Sequence, residues 1–158
     1  MKVTEHFDSD EFRCRDGSAY PLDAIGTPTA DTWLETRLRP LCEALEVIRE
    51  AAGGAAINID SGYRTLAYDT LLYERSAKDG TVATPQGSQH PKGRAADITH
   101  AVLSPDELHA LIGRLMVDGR LPMVGGFACY STFVHLDVRP RVNGHVAQWN
   151  ADRVSNIA

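Results

Sequence analysis

Leu38, Leu41, Cys42, Leu45, Ile48 and Ala52 recur at steps of three and four, the spacing that gathers apolar side chains on one face of a helix. Pro40 suits the first turn of that helix or a kink, and Gly53-Gly54 is its stop. The period then shortens to two. Ile57-Asn58-Ile59-Asp60 alternates apolar and polar and predicts a strand, with Ser61-Gly62-Tyr63-Arg64-Thr65 as the turn after it. Residues 66–77 read as a helix. Residues 78–94 read as a long loop rich in Gly, Pro, Thr and Ser, and loops of that length are usually functional or disordered. Ala95-Ala96-Asp97-Ile98-Thr99 predicts the next strand.

Ser104-Pro105-Asp106-Glu107 is the clearest local signal. Ser104 is an N-cap, Pro105 the first helical residue and Glu107 the partner that completes a capping box. Leu108, Leu111, Ile112 and Leu115 form the buried stripe of that helix, and Gly119 closes it. Two strands follow, near Met123–Tyr130 and Phe133–Val138. Residues 1–30 form a polar, turn-rich arm, in which Asp8-Ser9-Asp10-Glu11 has capping-box form and Phe7 and Phe12 staple the arm to the domain. Interleaved strands and helices with short, antiparallel-style connections predict an α+β fold, a single domain over residues 1–158 with a small, mostly antiparallel sheet flanked by helices.

A chain of 158 residues suits one domain, and 43% hydrophobic residues suffice for one core. The net charge of −5 argues against nucleic acid as a partner, because phosphate binding needs a basic face. No apolar run reaches the roughly 18 residues of a membrane span. The first twelve residues carry Lys2 but no apolar stretch of signal-peptide kind, so the expectation is a product made in the cytoplasm. Cys14, Cys42 and Cys129 are too few and too scattered for a disulfide framework and read as reduced thiols. Oligomeric state leaves no trace in the sequence.

Two histidine–aspartate motifs carry the candidate chemistry. Ser88-Gln89-His90-Pro91-Lys92-Gly93-Arg94-Ala95-Ala96-Asp97 sets six residues between His90 and Asp97, with a turn at Pro91–Arg94 that lets both face one ion. Phe133-Val134-His135-Leu136-Asp137 places His135 and Asp137 on one face of a strand, since side chains alternate. Either pair alone is equally a histidine hydrogen-bonded to a nearby carboxylate. Together they offer the nitrogen and carboxylate ligands that a catalytic zinc takes, with a position left open. His109 lies off its helix's apolar stripe and reads as solvated. His6, His100 and His145 have no partner at ligand spacing.

As an ordered set, Ser61-Gly62-Tyr63-Arg64, Ser88-Gln89-His90 with Gly93 and Ala96-Asp97-Ile98, and Phe133-Val134-His135-Leu136-Asp137 resemble the zinc D-alanyl-D-alanine carboxypeptidases and murein endopeptidases. That group shares its zinc-binding fold with the amino-terminal domain of Hedgehog proteins, and the resemblance runs from about residue 7 to 149. It implies one zinc ion held by His90, Asp97 and His135. It implies Arg64 over the metal, binding a substrate carboxylate or the developing oxyanion, with Ser88 and Gln89 shaping the cleft or holding the His90 loop. Tyr63 reads as packing, and Tyr130 and Trp149 as rim or core. Many relatives carry an acid three residues before the last zinc histidine, where this chain has Thr132. The chain matches a His-x-Asp subgroup instead, which makes Asp137 the candidate base or the group that orients water or His135. Asp69 stands where relatives often have Asn.

The implied activity is zinc-dependent hydrolysis of peptidoglycan stem peptides, as a carboxypeptidase or an endolysin-like endopeptidase. The alternative is a zinc-containing module that binds murein without cutting it. An enzyme of this kind without a signal peptide would reach the wall after lysis, by assisted export or in a phage particle.

Overall fold

A computed structural model describes residues 1–18, 30–76 and 87–149. A helical stretch starts at α1 (Ala30–Trp33), passes through a π-helical turn at Leu34–Leu38 and continues as α2 (Arg39–Ala51). The helical run thus begins earlier than the spacing of Leu38 to Ala52 predicts. Pro40 accounts for the wide turn. It has no N–H and its ring crowds the carbonyl four residues back, so the helix loosens just before it, and Arg39 N–H bonds the Leu34 carbonyl five residues back. Leu38, Leu41, Cys42, Leu45 and Ile48 are fully buried, as the spacing predicts. Gly53 and Gly54 close the helix at φ of 91° and 86°.

The strands are β1 (Ile57–Ser61), β2 (Ala95–His100), β3 (Gly126–Cys129), β4 (Val134–Asp137) and β5 (Ala147–Trp149). They form one mixed sheet in the order β1-β2-β4-β3-β5. Every neighbouring pair is antiparallel except β3 and β5. The fold is α+β, as expected. Helices α2, α3 (Leu66–Ser76) and α4 (Pro105–Val117) flank the sheet. Both capping boxes form, at Asp8/Glu11 over a 3-10 turn and at Ser104/Glu107 on α4. No helix among the described residues is long and apolar enough to cross a membrane.

Alternation decides which face does what. Ile57, Ile59, Ala96, Ile98, Phe127, Val134 and Leu136 share a core with Leu41, Leu45 and Ile48 of α2 and Leu108, Ile112 and Leu115 of α4. Each Leu, Ile, Val or Phe among them contributes about 1.5–3 kcal/mol when fully buried. Phe7 and Phe12 of the arm enter this core, so they do fasten the arm to the domain. The opposite face carries polar groups. One row crosses all five strands: Ser61 opposite Asp97, Asp97 opposite His135, His135 opposite Ala128, and Ala128 opposite Trp149. The next row holds Ala95, Asp137, Gly126 and Ala147.

A bulge at the end of β1 sets the first row. Ile59 pairs with Ile98 but Ser61 with Asp97, so Asp60 is the extra residue. Without it Asp60 would face Asp97. Arg15 donates to the Ile59 and Asp60 carbonyls at the bulge. The strand expected near Met123–Tyr130 starts only at Gly126, because a turn closed by Val124 N–H on the Leu121 carbonyl precedes it.

Candidate metal centre

His90 leaves the loop before β2 through a tight turn in which Gly93 N–H bonds the His90 carbonyl. Gly93 has φ of 67°, where a side chain would be strained. Trp33 Nε1 donates to the Gly93 carbonyl and Arg37 to that of Lys92, so the helix preceding Pro40 holds this turn from outside. Within the loop, Arg94 donates to Gln89 Oε1 at 2.7 Å and Gln89 Nε2 to the Gly87 carbonyl at 2.9 Å. Residues 77–86, the last residue of the expected helix and the first part of the expected loop, lie outside the described residues.

His90, Asp97 and His135 converge, each offering one ligand atom within 4.8 Å of the others, and all three are buried. His90 Nε2 lies 3.2 Å and His135 Nδ1 3.0 Å from the same oxygen, Asp97 Oδ1. The outer ring nitrogens are committed. His90 Nδ1 donates to the Gly62 carbonyl at 2.7 Å, and His135 Nε2 lies 2.9 Å from Asp137 Oδ2. In neutral rings the inner nitrogens then point lone pairs at a carboxylate oxygen, and three such lone-pair donors facing one another fit a cation. Ligand atoms around a tetrahedral zinc lie about 3.3–3.6 Å apart, so small movements would suffice to fit the ion.

The electrostatics agree. Burial pushes the Asp97 carboxyl up, but the charges and hydrogen bonds of His90 and His135 outweigh it and hold the group well below the usual carboxylate range. Burial likewise opposes charge on His135, and its hydrogen bonds to Asp137 and Asp97 prevail and raise its pKa. Without a cation, the His135 ring is drawn towards a proton.

A comparison with protein families adds the decisive observation. The model of the family described as peptidase M15 matches residues 5–137, well over half of the chain. The chain belongs to the peptidase M15 family. Membership makes it a peptidase, and the matched span contains His90, Asp97, His135, Asp137 and Arg64. No curated protein matches the chain. Among solved structures, the fold is similar to that of Serratia marcescens L-Ala D-Glu endopeptidase ChiX, at 16% identity over 77% of this chain and 96% of that one, with a TM-score of 0.43.

The other residues expected at the site are placed as follows. Arg64 lies beside Asp97. It donates through Nη2 to Asp97 Oδ2 at 2.7 Å, through Nη1 to Asp69 Oδ1 at 3.0 Å and through Nε to Ser61 Oγ at 2.9 Å. Asp69 is fully buried, and its Oδ2 has no hydrogen-bond partner among the described residues. Asp137 is fully buried with both oxygens engaged. Oδ1 accepts from Arg139 N–H and Nε–H, while Oδ2 accepts from Arg139 Nη2 at 2.6 Å and faces His135. Burial raises its carboxyl pKa, and Arg139 and His135 more than reverse this. Thr132 is exposed on the β3–β4 turn.

Gln89 points inward to hold its own loop, and Ser88 Oγ is buried. Tyr63 packs with Cys14 and Tyr68, as expected. Cys14, Cys42 and Cys129 are free thiols. His109 corrects the expectation of a solvated ring. It lies against Phe127 with centroids 5.0 Å apart, because α4 lies against β3 and closes over that side of the helix. His100 sits at the far end of β2 and accepts from Val102 and Leu103 N–H. Sequence reasoning missed Arg139 and gave Ser61 no contact of its own, although Ser61 stands in the quoted motif. Extending the alternation of His135 and Asp137 by one further step would have placed Arg139 on the same face.

Proposed function

We propose that this M15 peptidase uses one zinc ion, held by His90, Asp97 and His135, to hydrolyse peptidoglycan stem peptides. The observation that carries the reading is the convergence of two imidazole nitrogens on Asp97 Oδ1 while their outer nitrogens are tied to Gly62 and Asp137. Zinc in such a site supplies polarisation of a carbonyl and a more acidic water.

The chain's own residues prepare that chemistry. The Gly62 carbonyl fixes the tautomer of His90, and Asp137 fixes that of His135, leaving Nε2 of the first and Nδ1 of the second as the ligating atoms. Arg64 takes Asp97 Oδ2 and so turns Oδ1 to the metal. It uses three of its five N–H groups on protein. Among the described residues the other two have no partner, which leaves them for a substrate carboxylate or oxyanion. Asp137, buried and doubly engaged, acts through His135. Ser88 and Gln89 serve chiefly to hold the loop that carries His90.

That engagement of Asp137 supports a second reading, a metal-holding module that binds murein without cutting it. The two part on a direct experiment. Purified chain is loaded with zinc, its metal content measured, and insoluble murein added. The enzyme reading expects one zinc per chain and release of soluble peptide that stops on chelation. Binding to murein with no release favours the module, and a chain that takes up no zinc contradicts both. The bond cut, as carboxypeptidase or endopeptidase, is read from the released pieces. The setting in which the protein meets murein, after lysis, by assisted export or in a phage particle, is a separate proposal, tested by locating the protein in cells and particles.

A further inference from the structure

Arg139 is bound to Asp137 through more bonds than a surface arginine needs. Its Nε, Nη2 and backbone N–H all reach that carboxylate, at 2.8, 2.6 and 3.1 Å. The pair lies in a seat built for it. A Cβ on Gly126 would stand 2.6 Å from Asp137 Oδ2 and 2.7 Å from Arg139 Nε, and one on Gly125 would stand 1.7 Å from the Arg139 carbonyl oxygen. Only glycines at both places let Asp137 and Arg139 lie flat across β3. Trp149 covers the other side. Its ring centroid is 5.0 Å from the Arg139 guanidinium carbon and 5.2 Å from the His135 ring, reached across the small side chain of Ala128. Trp149 is itself tied to the Tyr130 hydroxyl at 3.1 Å.

We propose that Arg139 is a positioning residue of the metal centre, acting through Asp137 on His135, with Gly125-Gly126 as its seat and Trp149 as its cover. The inference rests on the metal reading given above. A carboxylate that orients a metal-bound imidazole must keep one oxygen aimed at the ring. Asp137 is free to rotate about its side-chain bonds unless both oxygens are fixed, and the guanidinium fork fixes both at once. The cover of Trp149 limits water around the pair, which strengthens these charge-assisted bonds. Arg139 therefore determines how well His135 presents Nδ1 to the metal, without touching metal or substrate.

The test compares zinc affinity, by competition with a chromogenic chelator, in the wild-type chain, Arg139→Ala and Arg139→Lys, with circular dichroism and thermal melting in parallel. Loss of a partner behind a metal-bound histidine weakens metal binding by about 10–100-fold. Arg139→Ala is expected to fall in that range while keeping its fold. Arg139→Lys should recover only part, since an ammonium cannot fork. Millimolar guanidinium added to Arg139→Ala should restore affinity, an effect that a purely structural role would not show. Cobalt(II) in place of zinc should give a visible spectrum altered in Arg139→Ala and returned by guanidinium. If Arg139→Ala does not fold, Arg139→Lys decides. Zinc affinity within twofold of wild type in the folded variant overturns the proposal, as does a loss that neither Lys nor guanidinium repairs and that follows the melting temperature. A wild-type chain that binds no zinc overturns the underlying reading instead, and this inference with it.

Discussion

Arg64 binds one oxygen of Asp97 at 2.7 Å and leaves the other to His90 and His135. The same guanidinium holds Asp69, whose side chain is wholly buried. Arg64→Ala would strand that carboxylate, and removing one partner of a buried ion pair costs about 3–5 kcal/mol. The variant should melt earlier and bind zinc more weakly. Arg64→Lys should keep most of the stability but lose part of the zinc affinity, because one ammonium cannot hold Ser61, Asp69 and Asp97 together. Melting curves and chelator competition on the two variants check this.

The arm and the metal site meet at Gly62. A Cβ there would stand 2.6 Å from the Phe12 Cα and 2.8 Å from its carbonyl oxygen, which accepts from Tyr63 N–H. Both are backbone atoms and cannot yield as a side chain would. Gly62→Ala should cost about 1–3 kcal/mol by overpacking. It should also shift the carbonyl that receives His90 Nδ1, so zinc affinity should fall along with the melting temperature. A variant with wild-type melting and wild-type zinc affinity would count against the contact.

Ala128 separates His135 from Trp149 in the row that crosses the sheet. Ala128→Leu would put a large side chain between two rings now 5.2 Å apart. The expected result is displacement of Trp149, read as a shift in tryptophan fluorescence, and weaker zinc binding. Ala128 is fully buried, so the larger side chain should also cost about 1–3 kcal/mol of stability by overpacking.

The metal-free chain should be most stable in a mildly acidic window. Asp97 and Asp137 have folded pKa values below their unfolded ones. Their contribution is therefore complete above the unfolded carboxylate value of about 4 and is lost as pH falls further. His135 is shifted the other way, upward. Its contribution is complete below about pH 6.5 and is lost as pH rises through its folded value. Melting temperature against pH should peak between about 4 and 6.5 without metal. Zinc, which would displace the proton on His135, should move the optimum upward. An apo optimum above pH 8 would contradict the arrangement.

The sequence exposed the triad because its geometry follows from period and order. His135 and Asp137 are two apart on a strand, and Asp97 sits on the strand that pairs with it. Residue type and spacing made them candidates only, and the ordered set of motifs singled them out as the expected ligands. The choice between the two roles expected of Asp137, base or orienting group, was not legible, since its surroundings depend on Arg139 and on glycines of another strand that leave it room. The strand β5 escaped notice because three residues, Ala147–Trp149, show no period, and because it joins the sheet parallel to β3 after a polar stretch. The π-helical turn was equally hidden. Pro40 was visible as a first-turn residue or a kink, but its consequence, a wider turn upstream that holds the His90 loop through Trp33 and Arg37, belongs to tertiary contacts.

The most direct test is mass spectrometry of murein incubated with the zinc-loaded chain, beside the chelated chain and a His135→Ala variant. The account predicts stem-peptide products formed by addition of water in the first sample and none in the other two. Unchanged murein from a chain that carries its zinc, or products that persist after chelation and in His135→Ala, would contradict it.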